Sequence, residues 1–262
     1  MANITSFQGG DANESGQQNW RGDQNVVPIG QSVYKSSSVQ LAPLGSRVVV
    51  GDRVFRYAQL GGVASTPGDV LQSNLAPSVV VTAGGTSPAG GKSFVFFHTA
   101  SGAVADLYAD GYLHCVSGTA ANMGQMYKIK THPLIATDTA GTLTLYDALI
   151  TQENVTDKWQ CTRNPYKLVT QVTAGLGAVQ IAGLLVCAAT TNDYVWIQTW
   201  GPAAVKAQTS ALAAGPMYAA ATGAAVGFIA TGTGGAVYTP IGVFATVPAA
   251  SDRALAFLQI AP

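Results

Sequence analysis

From Ser46 onward, short apolar runs are separated by Gly, Asp, Asn and Pro, and inside the runs side chains alternate with a period of two. In Met126–Lys130, Tyr127 and Ile129 share one face and Lys128 and Lys130 the other. In Thr142–Tyr146, Leu143 and Leu145 oppose the threonines. Arg47–Val50, the pair Gly51-Asp52 and Arg53–Leu60 predict a hairpin, with Gly51 supplying the positive φ of a type II′ turn. Asp106–Ala109, Asp110-Gly111 and Tyr112–Val116 predict another, through a type I′ turn. Val79–Thr82, Phe94–His98 and Tyr166–Val172 read as further strands, the last after the break at Asn164-Pro165. Leu184–Cys187 and Tyr194–Trp200, joined by Thr190–Asp193, predict a third hairpin. Past Gly201-Pro202 the chain turns Ala- and Gly-rich, and Gly215-Pro216 and Gly223 limit any helix there to a short one before Pro216. Ala225–Ala230, Ile241–Thr246 and Ala254–Ile260 then read as strands. The expected fold is all-β: a β-sandwich or barrel over 41–202, a smaller C-terminal β module over 203–262, and an extended N-terminal arm over 1–40.

That arm is polar, rich in Gln, Asn, Ser and Gly, and its apolar residues are sparse and large: Trp20, Val26, Val27, Ile29 and Tyr34. Such a segment buries too little of its own surface to offset its ordering entropy, so it is expected to order against a neighbouring molecule. Trp20, Val27, Ile29 and Tyr34 are therefore candidate intersubunit contacts. Arg53 and Arg56 join them, because a guanidinium offers bidentate hydrogen bonding that an ammonium does not. They are three apart, hence on opposite faces of a regular strand. Trp196 and Trp200 are four apart, which places them on one face with Tyr194 and Gln198, as core, as a subunit contact, or as a platform that stacks on sugar rings.

Composition narrows the class. Asp, Glu, Lys and Arg make up 10% of the 262 residues and formal net charge is zero, against ~25% charged residues in ordinary domains. So little charge gives weak electrostatic defence against association, which suits a subunit of an assembly. Zero net charge argues against a nucleic-acid partner. The N-terminus lacks a signal-peptide pattern, and Ala178–Ala189, interrupted by Gln180 and Gly183, is too short to span a membrane. Cys115, Cys161 and Cys187 are odd in number and widely spaced, so buried free thiols in a reducing compartment are expected.

Candidate chemistry is sparse. His98, His114 and His132 match no metal-ligand spacing. Cys115 and His114 are strand neighbours and point apart. Most of the acidic residues are aspartates, and Asp52, Asp110 and Asp193 sit at turns, where Asp serves the backbone. Phosphate-loop, dinucleotide and nucleophile-elbow motifs are missing. Arg21-Gly22-Asp23 and the sequons at Asn3 and Asn154 are short chance matches. No enzyme activity, catalytic residue, cofactor or metal is expected.

Several segments in order carry a resemblance. Pro43-Leu44-Gly45-Ser46-Arg47 running into Gly51-Asp52-Arg53-Val54-Phe55-Arg56-Tyr57-Ala58, Tyr127-Lys128-Ile129-Lys130 with His132-Pro133, Thr142–Tyr146, Asn164-Pro165-Tyr166 and Trp196–Ala203 resemble stretches of tailed-bacteriophage virion structural proteins, over most of residues 41–203. The C-terminal part, with Ala214–Tyr218, Ile241–Phe244 and Leu255–Ile260, is similar to the β modules of capsid decoration (cement) proteins. The resemblance implies a non-enzymatic protein, made in the host bacterial cytoplasm and bound to the capsid exterior. Its partners would be the major capsid protein and itself, as a homotrimer on three-fold positions, where it clamps neighbouring shell subunits against internal DNA pressure. The alternative is a tail, head-fibre or host-receptor component that binds glycan.

Overall fold

A computed structural model describes residues 30–62, 64–74, 79–83, 85–98, 102–172, 180–206, 215–219, 229–230, 240–245 and 253–261. Among them there is no helix, and the fold is all-β, as the period-two pattern requires. The chain divides into two compact units: Leu75–Pro165 forms one, and the other is built from the residues on both sides of it, up to Asn74 and from Tyr166. The division thus falls at 74/75 and 165/166, not at 40/41 and 202/203.

The unit Leu75–Pro165 holds β4 (Val79–Ala83), β5 (Ser93–His98), β6 (Tyr112–Ser117), β7 (Met126–Thr131), β8 (Thr139–Leu145) and β9 (Lys158–Thr162). All ladders are antiparallel, in the order β4-β5-β8-β7-β6-β9, and β9 pairs in turn with β4, so the ladders make a ring. The alternation read from sequence sets which side chains line its core: Phe94, Phe96, Leu113, Tyr127, Ile129, Leu143, Leu145, Trp159 and Cys161 are buried together. The hairpin expected at Asp106–Val116 is half right. Tyr112–Ser117 is a strand, but Ala105–Asp110 is a series of turns with Asp106 and Asp110 at φ 58° and 60°. A Cβ on Gly111 would meet the Thr162 carbonyl oxygen at 2.3 Å, so this glycine serves close backbone approach.

A polar network surrounds the buried Asn122 and Asp157 of this unit. The Asp157 carboxylate accepts from the Thr119 amide (2.8 Å), the Asn122 side-chain amide (2.5 Å) and the Asn154 amide (3.1 Å). Asn122 also donates to the Gln152 carbonyl and accepts from the Thr151 hydroxyl. Thr151 accepts from Gln125, which accepts from the Tyr127 hydroxyl. The turn before β7 and the loop before β9 are held through these side chains, since neither belongs to a ladder.

The other unit is one sheet of β1 (Arg47–Val50), β2 (Arg53–Gln59), β3 (Val70–Gln72), β10 (Thr170–Gln171), β11 (Ile181–Leu185), β12 (Tyr194–Lys206), β13 (Gly215–Ala219), β14 (Ile229–Ala230), β15 (Pro240–Phe244) and β16 (Arg253–Gln259). Its order is β10-β3-β11-β12-β16-β15-β13-β14, with β2 also on β12 and β1 on β2. The Gly51-Asp52 hairpin forms as expected: Val50 pairs with Arg53, and Gly51 has φ 62°. The 13-residue β12 runs straight through the expected boundary at 202/203. Its first half is flanked by β2 and β11 and its second by β16, so the described C-terminal strands extend the sheet. Residues 31–44 belong to this unit as well. Val33, Ala42 and Leu44 pack on Phe55, Tyr57 and Trp196, and Gln31 donates to the Lys35 and Tyr194 carbonyls while accepting from the Tyr57 hydroxyl. The described end of the expected arm therefore covers its own sheet.

Candidate functional site

β12 carries a β-bulge that decides which side chains reach the surface. Gln198 pairs with Phe55 and Trp200 with Val54, which leaves Thr199 as the extra residue. Thr199 is fully buried; its hydroxyl donates to the Ala261 carbonyl at 2.7 Å, and its carbonyl accepts from Ile260. Gly201 follows at φ 86°, and a Cβ there would lie 2.4 Å from the Asp52 carbonyl oxygen. The expected common face of Trp196 and Trp200 does not survive this. Trp196 is completely buried against Tyr57, with ring centroids 4.9 Å apart, whereas Trp200 is 38% exposed. Four residues along an unbulged strand would have kept them together; one inserted residue and the cover of residues 31–44 separate them.

Beyond the bulge, on the face of Trp200, large apolar side chains of the described residues are exposed. Leu255, Phe257 and Val243 are 45%, 48% and 42% exposed. Leu255 lies opposite Ala204, and Phe257 opposite Pro202 on one side and Val243 on the other. Directly opposed residues point to one face, so these side chains form a continuous apolar strip across β12, β16 and β15. The other face of the same strands is core, with Ala254, Ala256, Leu258, Val205, Ile241 and Phe244 buried. Sequence reasoning missed this strip. Its signal is in β16, Arg253–Gln259, where Ala254, Ala256 and Leu258 turn inward and Leu255 and Phe257 stand outward between the polar Arg253 and Gln259. Scattered exposed apolar residues are ordinary, and a contiguous strip opposite a packed face is a candidate interaction surface.

Beside the strip lies a cleft of about 250 Å³ lined by Tyr34, Arg53, Gln198, Pro202, Ala204 and Arg253, among others. The Arg53 guanidinium sits 5.7 Å from the Tyr34 ring centroid and 5.5 Å from that of Phe55, and donates to the Tyr34 hydroxyl at 2.5 Å. Arg253 donates through Nε and Nη2 to the Pro67 carbonyl, at 3.1 and 2.7 Å. Tyr34 and Arg53 are thus brought together, as two of the expected contact residues. Arg56 is half-buried and donates to the Gly45 carbonyl at 3.3 Å. Trp20, Val27 and Ile29 lie outside the described residues.

His132 and the three cysteines have structural surroundings. His132 is buried; its Nε2 accepts from the Tyr108 amide at 3.0 Å and its Nδ1 lies 2.7 Å from the Pro133 carbonyl, which suits a neutral ring protonated at Nδ1. No group of three potential metal ligands exists among the described residues. Cys115, Cys161 and Cys187 are buried free thiols, and burial pushes each up, Cys187 to about 11.

Glu153 and Asp157 are buried carboxyls with opposite shifts. Burial would raise Asp157, but hydrogen bonds from Thr119, Asn122 and Asn154 win and hold it below the usual carboxylate range. Neither carboxyl oxygen of Glu153 has a partner at full hydrogen-bond geometry among the described residues, and the Ser87 hydroxyl is the polar group that acts on it. Burial pushes it up to about 7, against a downward pull from the Ser87 hydroxyl, with Asp157 adding to the rise. A carboxyl raised on folding binds its proton more tightly in the native state, so stability falls as pH rises from about 4.5 to about 7. Glu153→Gln is expected to flatten that slope and raise stability at pH ~8 by about 1–3 kcal/mol. Urea unfolding across this pH range checks it.

Comparison with protein-family models, with curated proteins and with solved structures finds no match to this chain.

Proposed function

We propose that the protein is a non-enzymatic structural subunit that binds the outer surface of a bacteriophage capsid and stabilises the shell by clamping neighbouring shell subunits. The observation that carries this reading is the apolar strip of Leu255, Phe257 and Val243, set on a sheet whose opposite face is fully packed. A rigid sheet holding a preformed apolar face loses little entropy on docking, so its buried area is available for binding. A subunit that binds only the assembled lattice stabilises it by mass action, and low charge suits many like copies packed on one shell. The segments that resemble phage virion proteins support the same reading. The alternative of a glycan-binding tail or head-fibre component rested on a shared Trp196 and Trp200 face, and burial of Trp196 removes that platform.

Copy number in purified particles of the encoding phage, by quantitative mass spectrometry against the major shell protein, tests the proposal. A ratio near one to one with shell subunits is expected. A few copies to a few dozen would point to a tail or vertex component, and absence from the particle would sink the reading. Phe257→Ser should leave folding stability within about 1 kcal/mol, because the side chain is half exposed. In a co-sedimentation assay the same change should weaken shell binding about tenfold or more.

A further inference from the structure

The cleft adjoins the strip, since Pro202 and Ala204 line the cleft and lie opposite Phe257 and Leu255. Two of the chain's 13 basic side chains, Arg53 and Arg253, meet there. Among the described residues no carboxylate lines the cleft. Asp69, next in sequence to the lining residue Gly68, is completely buried and already held by Thr66, Gln171 and Lys206. Both guanidiniums are fixed in place, Arg53 by Tyr34 and Phe55 and Arg253 by the Pro67 carbonyl. These bonds use one of the five N–H donors of Arg53 and two of those of Arg253. At about 250 Å³ the cleft is smaller than the ~300–1,000 Å³ that takes a drug-sized ligand, and its scale is that of one side chain.

On β16, Arg253, Leu255 and Phe257 follow one another along the exposed face at every second residue, about 6.6 Å apart. An extended segment laid along the strand repeats with the same spacing. We propose that this face takes an extended partner segment with an acidic side chain at one position and apolar side chains two and four residues on. The carboxylate enters the cleft between Arg53 and Arg253, and the apolar residues lie on Leu255 and Phe257. The assignment deepens the docking reading above and rests on it: the strip supplies area and the arginines supply register and choice of partner. A basic residue at the acidic position would face two guanidiniums and be rejected.

Two peptides test this on the full-length protein by isothermal titration: acetyl-Ser-Glu-Ser-Val-Ser-Leu-Ser-amide and its counterpart with Gln in place of Glu. The Glu peptide is expected to bind about tenfold more tightly, and the double variant Arg53→Gln, Arg253→Gln to erase the difference. Phe257→Ser should weaken both peptides. Equal affinity for the two peptides, or a preference that survives the double variant, overturns the proposal. So does self-association that Phe257→Ser abolishes and neither peptide competes with, because a second copy would then occupy the face. Co-sedimentation with the shell separates this from the function itself. Shell binding that Phe257→Ser removes and the arginine variant leaves intact overturns the partner chemistry alone. Peptide discrimination by a protein that ignores the shell upholds the chemistry and removes the capsid reading.

Discussion

Trp196→Ala is expected to lower the stability of the sheet unit by about 3–5 kcal/mol, the range for removing a large aromatic from a packed interior. Trp196 is completely buried, its ring centroid 4.9 Å from that of Tyr57, in a cluster that joins β1, β2 and β12 to Val33, Ala42 and Leu44. The loss therefore exceeds one contact, because the cavity loosens the cover formed by residues 31–44. Trp196→Phe should cost much less. Its indole N–H has no hydrogen-bond acceptor among the described residues, so the smaller ring sacrifices volume without orphaning a polar partner. Urea unfolding followed by circular dichroism measures both. If Trp196→Ala cost under about 1 kcal/mol, the ring would belong to the surface.

Asp157→Ala should destabilise the unit Leu75–Pro165 by a comparable amount, about 3–5 kcal/mol, for an electrostatic reason. The change strands the buried Asn122 amide and removes the acceptor of the Thr119 and Asn154 amides, and it loosens the chain of bonds through Thr151 and Gln125 to Tyr127. Asp157→Asn keeps one acceptor and should lose less. The carboxyl is lowered on folding, so its stabilisation is complete above the ordinary value of 3.8 and is lost as pH falls through the lower folded value. Wild-type unfolding midpoints should drop across that acidic window, and those of Asp157→Ala should drop less. Equal slopes for the two proteins would remove Asp157 from the account.

Much of this architecture is legible in the chain because strand periodicity is local. Tyr127 and Ile129, Leu143 and Leu145, and the Gly51-Asp52 turn are placed as their spacing demands. β9 was equally readable from Trp159 and Cys161, which alternate with Lys158 and Gln160, and no expectation was drawn from it. The Asp106–Ala109 arm failed because Asp-Gly is a hairpin signal only where both flanks are strands, and here Asp106 and Asp110 both adopt positive φ inside a run of turns. The boundary at Gly201-Pro202 failed for a related reason. Gly and Pro usually end a strand, yet Gly201 is needed for the approach of the Asp52 carbonyl beside a bulge, and β12 continues past it.

The candidate site was less legible. Arg53 and Tyr34 were singled out by residue type, but their pairing across 19 residues depends on how residues 31–44 fold back over β2. In the run Arg253–Gln259 the polar ends, Arg253 and Gln259, share the parity of Leu255 and Phe257 and point outward, yet by size alone Leu255 and Phe257 would be buried and Ala254 and Ala256 exposed. That choice was made by the partners of β16 on β12 and β15, whose own buried sides set the register.

By itself the sequence determined an all-β chain of low charge, with its turns, its alternating strands and its buried thiols, since each of these follows from neighbours a few residues apart. Only the tertiary structure decided that residues 75–165 form a unit inside the sequence of the other, that Trp196 is core while Trp200 is surface, and that Leu255 and Phe257 stand beside Arg53 and Arg253. Those outcomes depend on ladder register and on one inserted residue in β12. A shift of one residue in a strand exchanges its two faces, and no local pattern records which face another part of the chain will cover.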